Sequence, residues 1–352
     1  MRTSARRPAS SAAVLLTAFA VPLAAQQGPP APAPELQKLA PLLGNWHGTG
    51  TANLAAATPT KWSARGTYRW CLDGHFLQED FELSFEGRPV PLVFRAWLGW
   101  DRENRRYVNA LANSSGEVAL HPMTLQPDGT MVMLMLQAEN GVPYAERSLF
   151  KVEGDKLVHS IDLLLPQGAS KSVVDGFFTR GGDGFDGAFD GAPFAQHADP
   201  MMMIGRLGRS AGTYDLAGEV LMAPGAPMLK IHGKDTVRTL WQGAVVHMHS
   251  DGGAEGTPGE YHSDLVWGFD SLRKSLRGVY VSNTGAVGVM DGEFADDGSF
   301  VATTAGRQQG KPMAQRMIMQ FDAKGAIVRG SGHTLLGTAA PIESYRGTYT
   351  RQ

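Results

Sequence analysis

The sequence predicts an all-β protein with two antiparallel β-barrels in tandem, each with a short helix at its start. Three observations support this prediction: the glycine content, an alternating strand pattern between turn residues, and a second copy of that pattern. Of the 352 residues, 43 are glycine and 21 are proline. This balance favours many short strands joined by tight turns over long helices.

The composition is that of a globular protein. The chain is 43% hydrophobic and 19% charged, with a net charge of -2. This rules out a protein that binds nucleic acid through a strongly basic surface. A single cysteine, Cys71, excludes an intrachain disulfide and is interpreted as a small buried apolar side chain.

The first 25 residues have the pattern of a secretory signal peptide. Arg2, Arg6 and Arg7 precede a short apolar run over residues 12–23, and small residues follow up to Ala25. Such a run is too short for a permanent membrane helix, and no cysteine follows it as a lipid attachment site. We therefore expect cleavage after Ala25 and a soluble periplasmic or secreted product.

A proline-rich stretch over residues 26–34 follows the predicted signal peptide. Its sequence, QQGPPAPAP, is typical of an extended spacer without packing contacts. The first domain is therefore predicted to span residues 35–180.

The first domain opens with apolar residues at helical spacing over residues 35–43, which predicts a short helix. Alternating strands are predicted over residues 62–85, 93–100 and 106–110. Turn residues at 101–104, 126–129 and 153–156 separate these and later strands. Strand length and turn spacing fit an up-and-down barrel or a sandwich.

The same pattern recurs later in the chain in the same order. The segment 97–101 (WLGWD) matches 266–270 (VWGFD), 128–130 matches 297–299, and 178–180 matches 349–351. Leu43-Gly44 is matched with Leu207-Gly208, which sets Arg209-Ser210 against Asn45-Trp46. A period this long indicates two whole domains rather than a solenoid. The second domain is predicted over residues 201–352, after a Gly/Asp-rich flexible linker over residues 181–200.

The first copy resembles a bacterial family known as domain of unknown function 1579. The resemblance covers residues 36–180 and is carried by four segments, which are LGNWHGTG (43–50), LDGHFLQE (72–79), GRP (87–89) and LGWD (98–101) followed by Tyr107-Val108. The second copy is more divergent. The resemblance implies an antiparallel barrel of the lipocalin-like (calycin) kind and implies no established activity.

Five tryptophans fall in strand-like stretches and are candidate ligand-lining residues. Barrels of eight to ten strands hold one apolar molecule or are filled by their own side chains. Both alternatives are open for these residues, which are Trp46, Trp70, Trp97, Trp241 and Trp267.

A histidine cluster in the second copy is the sharpest polar feature. On a single strand over residues 236–249, His247 and His249 would share a face with Val237 and Trp241. His262 and Asp264 share a face of the following strand. Side chains of this kind at this spacing suit a transition metal such as zinc, iron or copper. The alternative is a set of strand histidines without a metal.

Three functional hypotheses follow. The first is an exported protein that binds a small apolar or amphipathic molecule in a barrel lumen. The second is a metal-dependent hydrolase or oxygenase that uses His247, His249, His262 and Asp264. The third is a structural or interaction module of the cell envelope. The chain lacks the nucleophile and phosphate-loop motifs of common enzymes, so binding is preferred to catalysis.

Overall fold

The computed structural model shows two closed ten-stranded antiparallel barrels in tandem. It describes residues 30–53, 58–139, 142–165, 169–189, 191, 198–221, 225–270, 273–308 and 310–352. The predicted signal peptide and part of the predicted linker lie outside these residues. The all-β prediction, the tandem barrels and the short helix at the start of each are confirmed.

In each barrel, every strand pairs with its neighbours in sequence, and the last strand pairs with the first. The first barrel follows a 3-10 helix, Pro34–Leu42. Its strands are β1 Gly44–Ala52, β2 Thr60–Cys71, β3 Phe76–Phe85, β4 Leu92–Asp101, β5 Arg106–Asn113, β6 Val118–Leu125, β7 Met131–Glu139, β8 Val142–Glu153, β9 Lys156–Leu164 and β10 Ser170–Arg180.

The second barrel repeats this order after helix α1, Ala198–Gly208. Its strands are β11 Gly212–Leu221, β12 Met228–Leu240, β13 Val245–Ala254, β14 Tyr261–Asp270, β15 Ser275–Ser282, β16 Val287–Phe294, β17 Phe300–Gln308, β18 Lys311–Phe321, β19 Ile327–Leu336 and β20 Ile342–Arg351.

A tight 3-10 turn separates the second and third strands of each barrel. Leu72–Gly74 joins β2 to β3, and Trp241–Gly243 joins β12 to β13. The prediction of a single strand over residues 236–249 is therefore wrong. Odd-numbered residues face the barrel interior before this turn, and even-numbered residues face it after the turn. Val237 lies in the core of the second barrel, whereas Val245 belongs to the contact between the barrels.

A buried aromatic residue closes the helix end of each barrel. The Trp46 indole N–H donates to the Leu42 carbonyl at 2.6 Å, and the Arg180 guanidinium lies 4.3 Å from the ring centre. In the second barrel the Tyr214 hydroxyl donates to the Ser210 carbonyl, also four residues earlier. Tyr214 pairs with Arg351 as Trp46 pairs with Arg180.

The predicted match between Asn45-Trp46 and Arg209-Ser210 is therefore wrong. The equivalent of Gly44-Asn45-Trp46 is Gly212-Thr213-Tyr214, since these residues open the first strand of each barrel. The second copy keeps the aromatic closure with tyrosine in place of tryptophan.

The segments outside the barrels also pack against the first barrel. His75 is hydrogen bonded through Nε2 to the Pro30 carbonyl at 2.8 Å, and Ala33 is buried. The expectation that residues 30–34 make no packing contacts is wrong. Beyond β10, Phe185 is buried and its backbone N–H donates to Thr67 Oγ1 at 2.9 Å. Around Phe185 the predicted linker is thus fixed to the outer face of β2, and the predicted flexibility is wrong there.

The two barrels share an apolar contact between their outer faces. It includes Phe76, Val93 and Trp97 from the first barrel and Val245 and Val266 from the second. The contact is pseudo-symmetric, because Gly116 approaches the Ala244 carbonyl while Gly285, at the equivalent turn, approaches the His75 ring. Each strand near this contact therefore has two buried faces.

Candidate functional site

The five candidate tryptophans lie in two different environments. Trp46 and Trp70 belong to the interior of the first barrel, and Trp267 belongs to the interior of the second. Trp97 and Trp241 lie in the contact between the barrels. The lumen placement predicted for these last two side chains is therefore wrong, because Trp97 points outward from β4 while Leu98 points inward.

The lumen of the first barrel is lined by aromatic and aliphatic side chains that are incompletely buried. Several remain partly accessible although they face the core, namely Trp70, Leu83, Phe94, Trp100, Leu111, Met133 and Phe150. Side chains in a fully packed interior lose nearly all contact with solvent. These inward-facing side chains of the first barrel are therefore not closed off from solvent.

An aromatic cluster forms the centre of this lumen. The Phe81 ring lies 5.3 Å from Tyr68, 5.7 Å from Phe94 and 5.5 Å from Phe178, measured between ring centres. The spacing is that of favourable aromatic pairs. The cluster forms an apolar wall in which Phe94 stays partly accessible, while Tyr68, Phe81 and Phe178 are buried.

Two polar pairs flank this wall. The Tyr68 hydroxyl donates to Glu79 Oε1 at 2.7 Å, and His159 Nε2 lies 3.0 Å from Ser148 Oγ. Burial raises the pKa of Glu79 to about 7 and lowers the pKa of His159 to about 4. At neutral pH the histidine is therefore uncharged, and the carboxyl group exchanges readily between its two protonation states.

The predicted histidine cluster forms on the outer face of the second barrel. Asp264 Oδ1 lies 2.7 Å from His247 Nε2 and 2.9 Å from His249 Nδ1. Asp251 Oδ1 lies 3.1 Å from His249 Nε2 and 2.8 Å from His262 Nδ1. The four predicted side chains are therefore brought together in one chain of alternating imidazoles and carboxylates, with Asp251 as a link that the sequence interpretation missed.

This chain faces the first barrel. The His247 ring lies 6.3 Å from the Trp97 ring, between centres. At the equivalent outer positions of the first barrel, Asp80 accepts hydrogen bonds from Arg69 and Arg95, each at 2.6 Å. Asp80 on β3 is paired with Arg95 on β4, and His249 on β13 is paired with Asp264 on β14. The acidic residue of the pair therefore lies on the third strand of the first barrel but on the fourth strand of the second.

His249 is held in its cationic form by this geometry. Both ring nitrogens face carboxylate oxygens, so both must carry a proton to donate. The hydrogen bond with Asp264 is the main cause that raises the pKa of His249 to about 9. The two imidazoles in turn hold the pKa of Asp264 well below its usual range, against the desolvation of its buried carboxyl.

A nitrogen that donates a hydrogen bond has no lone pair for a metal ion. Within the described ranges, no group of three His, Cys, Asp or Glu side chains is arranged to hold a metal. The geometry is that of an ion-paired chain. The metal-site hypothesis stays a prediction, which elemental analysis of untagged protein would test.

Replacing Asp264 by Asn is expected to destabilise the second barrel by on the order of 2 kcal/mol, because two imidazoles lose their shared acceptor. The pKa of His249 should fall from about 9 towards 6.5. Since its folded-state value is raised, the stability that His249 contributes is present below 6.5 and lost as the pH rises through 9. Imidazole titration by NMR measures the change.

The exposed substitution Asp291→Asn on β16 serves as the control for this experiment. It removes the same charge away from the imidazole chain. An unchanged His249 titration in Asp264→Asn would contradict the assignment.

Comparisons with known proteins agree with this architecture. A family model described as "Protein of unknown function (DUF1579)" matches residues 31–162 and again residues 200–349. The chain belongs to this family. The two matches fall on the two barrels, so the tandem duplication predicted for this DUF1579 protein is confirmed.

Solved structures give only distant likenesses. Rv2717c from M. tuberculosis is 18% identical, with a TM-score of 0.33, and the match covers 43% of this chain and 99% of that one. A DUF3598 family protein of unknown function from Nostoc punctiforme is 13% identical, with a TM-score of 0.26, and the match covers 91% and 100% of the two chains. A comparison of the DUF1579 protein with curated proteins finds no match.

The helices in the described part of the DUF1579 protein are short. Among the described residues, none has the length and apolar character that a membrane-crossing helix requires.

Proposed function

We propose that this protein is exported and holds a small apolar or amphipathic molecule in the lumen of its first barrel. The observation that carries the proposal is the set of inward-facing aromatic and aliphatic side chains that stay partly accessible around the paired Tyr68 and Glu79. Ligand sites are typically enclosed and mostly apolar, with a few fixed polar groups that orient the ligand.

The lumen has the two properties that an amphipathic ligand needs. Phe94, which stacks on the buried Phe81 ring, stays partly accessible and offers an apolar surface, and burying apolar ligand area there gains roughly 25 cal/mol per Å². Glu79 offers a hydrogen-bond acceptor when ionised and a donor when protonated. With a pKa of about 7, it accommodates either kind of polar head group near neutral pH.

Filling the lumen should weaken ligand binding. Ala64 faces the first core from the middle of β2, whereas the neighbouring Ser63 is exposed. We expect Ala64→Trp to weaken binding of the amphipathic probe anilinonaphthalene sulfonate by roughly tenfold or more, the equivalent of losing about 1.4 kcal/mol of contact. Fluorescence titration measures this effect, with Ser63→Trp as the matched outward control.

Native mass spectra of the protein from its own host provide the direct test. The mass of the exported chain should correspond to cleavage after Ala25, and a copurified small molecule should be lost in Ala64→Trp only. Protein that carries no molecule, together with equal probe binding in both tryptophan variants, would refute the binding proposal.

The interaction hypothesis rests on a different observation. Of the large apolar side chains that are exposed in the described part of the chain, most lie on the first barrel, on or beside β7, β9 and β10, namely Leu134, Leu136, Val158, Leu165 and Phe177. Val158 and Phe177 are directly paired across β9 and β10, and exposed apolar surface marks contact sites in other proteins. Lumen binding does not depend on this surface, so the two functions are compatible.

A further inference from the structure

One row of inward-facing residues is open to solvent in the first barrel and filled in the second. In the first barrel this row consists of directly paired residues on β2, β3, β4 and β5, namely Tyr68, Glu79, Ala96 and Leu111. Glu79 and Leu111 are only partly buried. Because both side chains point into a closed barrel, the solvent that reaches them lies inside the lumen. We call these four residues the acidic row.

The equivalent row of the second barrel leaves no such opening. Its members are at most 2% exposed, and they are Val237, Met248, Leu265 and Tyr280. Leu265 lies at the position of Ala96, and Met248 lies at the position of Glu79. The first barrel thus combines a smaller side chain with a carboxyl group at the place that the second barrel fills with apolar groups.

Glu79 has one carboxylate oxygen that the protein does not use. The Tyr68 hydroxyl donates to Oε1 at 2.7 Å, and Oε2 makes no hydrogen bond with the described residues. The charged group that acts on Glu79 is a second carboxylate, Asp80 on the outer face of β3, rather than a base. A carboxylate removed from bulk water costs free energy unless a positive group pairs with it. The acidic row therefore lacks a positive partner.

The basic groups of the first barrel are held away from the acidic row. At inward positions of the described strands, Arg180 closes the helix end and Lys171 is exposed at the start of β10. The inward His121 and His159 are neutral at pH 7, because burial lowers the pKa of each to about 4. An ionised Glu79 therefore makes this part of the lumen negative, and an anionic head group is repelled there.

We infer that the acidic row binds the positively charged ammonium head group of an amphipathic amine, whose apolar part lies against the partly accessible Phe94 and Leu111. The inference rests on the lumen binding proposed above and fixes the charge of the head group, which that proposal leaves open. An ammonium group donates to Oε2 of Glu79 in a charge-assisted hydrogen bond. Tyr68 and Trp70, the inward residues of β2 on this side, add aromatic faces, which attract a cation.

Three ligands with the same alkyl chain test this charge preference, namely octylammonium chloride, octanol and sodium octanoate. Their affinities for the full chain are measured by calorimetric titration at pH 8. Glu79, with a pKa of about 7, is then mostly ionised, and an alkylammonium ion keeps its proton. We expect octylammonium to bind at least about tenfold more tightly than octanoate, with octanol between them.

Two variants localise the preference to the acidic row. Glu79→Gln should abolish it, because glutamine still accepts the hydrogen bond from Tyr68 and carries no charge. Glu82→Gln removes the same charge from the outer face of β3 and should keep the preference. The double variant Tyr68→Val with Glu79→Met recreates the Val237–Met248 pair with which the second barrel folds. It should bind the three ligands without discriminating by charge.

Failure of this inference is distinguishable from failure of lumen binding. Ala64→Trp should weaken the binding of all three ligands, because it fills the lumen. Octanoate that binds as tightly as octylammonium, or a preference that is unchanged in Glu79→Gln, overturns the inference while lumen binding stands. Equal binding of all three ligands by the wild type and Ala64→Trp removes both.

Discussion

Replacing Trp97 by Ala is expected to destabilise the protein by about 3–5 kcal/mol, as for other large aromatic side chains removed from a packed interior. Trp97 is 1% exposed and lies at the contact between the barrels, beside the imidazole chain of the second barrel. Its loss leaves a cavity in that contact. We therefore expect urea unfolding of the variant to separate into two transitions, one for each barrel.

The substitution Trp97→Phe separates packing from hydrogen bonding. The Trp97 indole N–H is buried without a partner among the described residues. Phenylalanine keeps most of the ring volume and removes this unsatisfied donor, so it should cost far less than alanine. Equal losses for the two variants, or an Ala variant with wild-type stability, would contradict the role assigned to Trp97.

The placement of Trp97 also shows what strand periodicity leaves undetermined. Alternation correctly predicts that Trp97 and Leu98 lie on opposite faces of β4. In most barrels the outer face is polar, so the apolar face identifies the lumen. Here the outer face is apolar as well, because Phe76, Val93 and Trp97 pack against the second barrel. Only the contact between the two domains distinguishes the apolar face that lines the lumen from the apolar face that packs against the other barrel. No local sequence pattern encodes that contact.

The duplication could be read from the sequence because both barrels keep their turn residues. Asp128-Gly129 and Asp297-Gly298 lie at equivalent hairpins, and both glycines adopt positive φ. The opening of the second barrel was misaligned because Leu207-Gly208 imitates Leu43-Gly44. The pairing of Tyr214 with Arg351 reveals the true match, and a tertiary contact of this kind is not visible in a single sequence.

For a related reason, the sequence predicts some of the candidate sites and not others. The histidine cluster was found because four polar side chains at a spacing of two residues form a conspicuous pattern. Asp251, which links two of the imidazoles, shares that spacing with His249 and could have been included. Glu79 is a single carboxyl group at an inward position of an apolar strand. It was detectable as a break in the alternation, although its hydrogen bond with Tyr68 was not.

Replacing Glu79 by Gln should change how stability depends on pH. The carboxyl has an ordinary pKa of 4.5 in the unfolded chain and a pKa of about 7 in the folded protein, raised mainly by burial. Between these values the folded state binds a proton that the unfolded state has released. Glu79 therefore contributes a negative slope to the stability between pH 4.5 and 7, of roughly 3 kcal/mol in total. It is superimposed on the opposite slope from His159, whose pKa is lowered to about 4.

Glutamine at this position is uncharged at every pH and still accepts the hydrogen bond from Tyr68. The variant should therefore lack this slope, and it should be the more stable protein above pH 7. Urea denaturation at several pH values measures the effect. Glu82→Gln removes the same charge from an outward position of the same strand, where it bridges to Arg65, and should keep the wild-type slope.

The same measurement bears on the lumen itself. A carboxyl group in open contact with bulk water would titrate near its ordinary value and contribute no such slope. Identical pH profiles for the wild type and Glu79→Gln would place Glu79 in a solvated channel and remove the enclosed site on which ligand binding depends. If the pH dependence of stability loses this slope in Glu79→Gln, the carboxyl group lies in an apolar enclosure. Such a site binds both the apolar part and the polar head group of an amphipathic molecule.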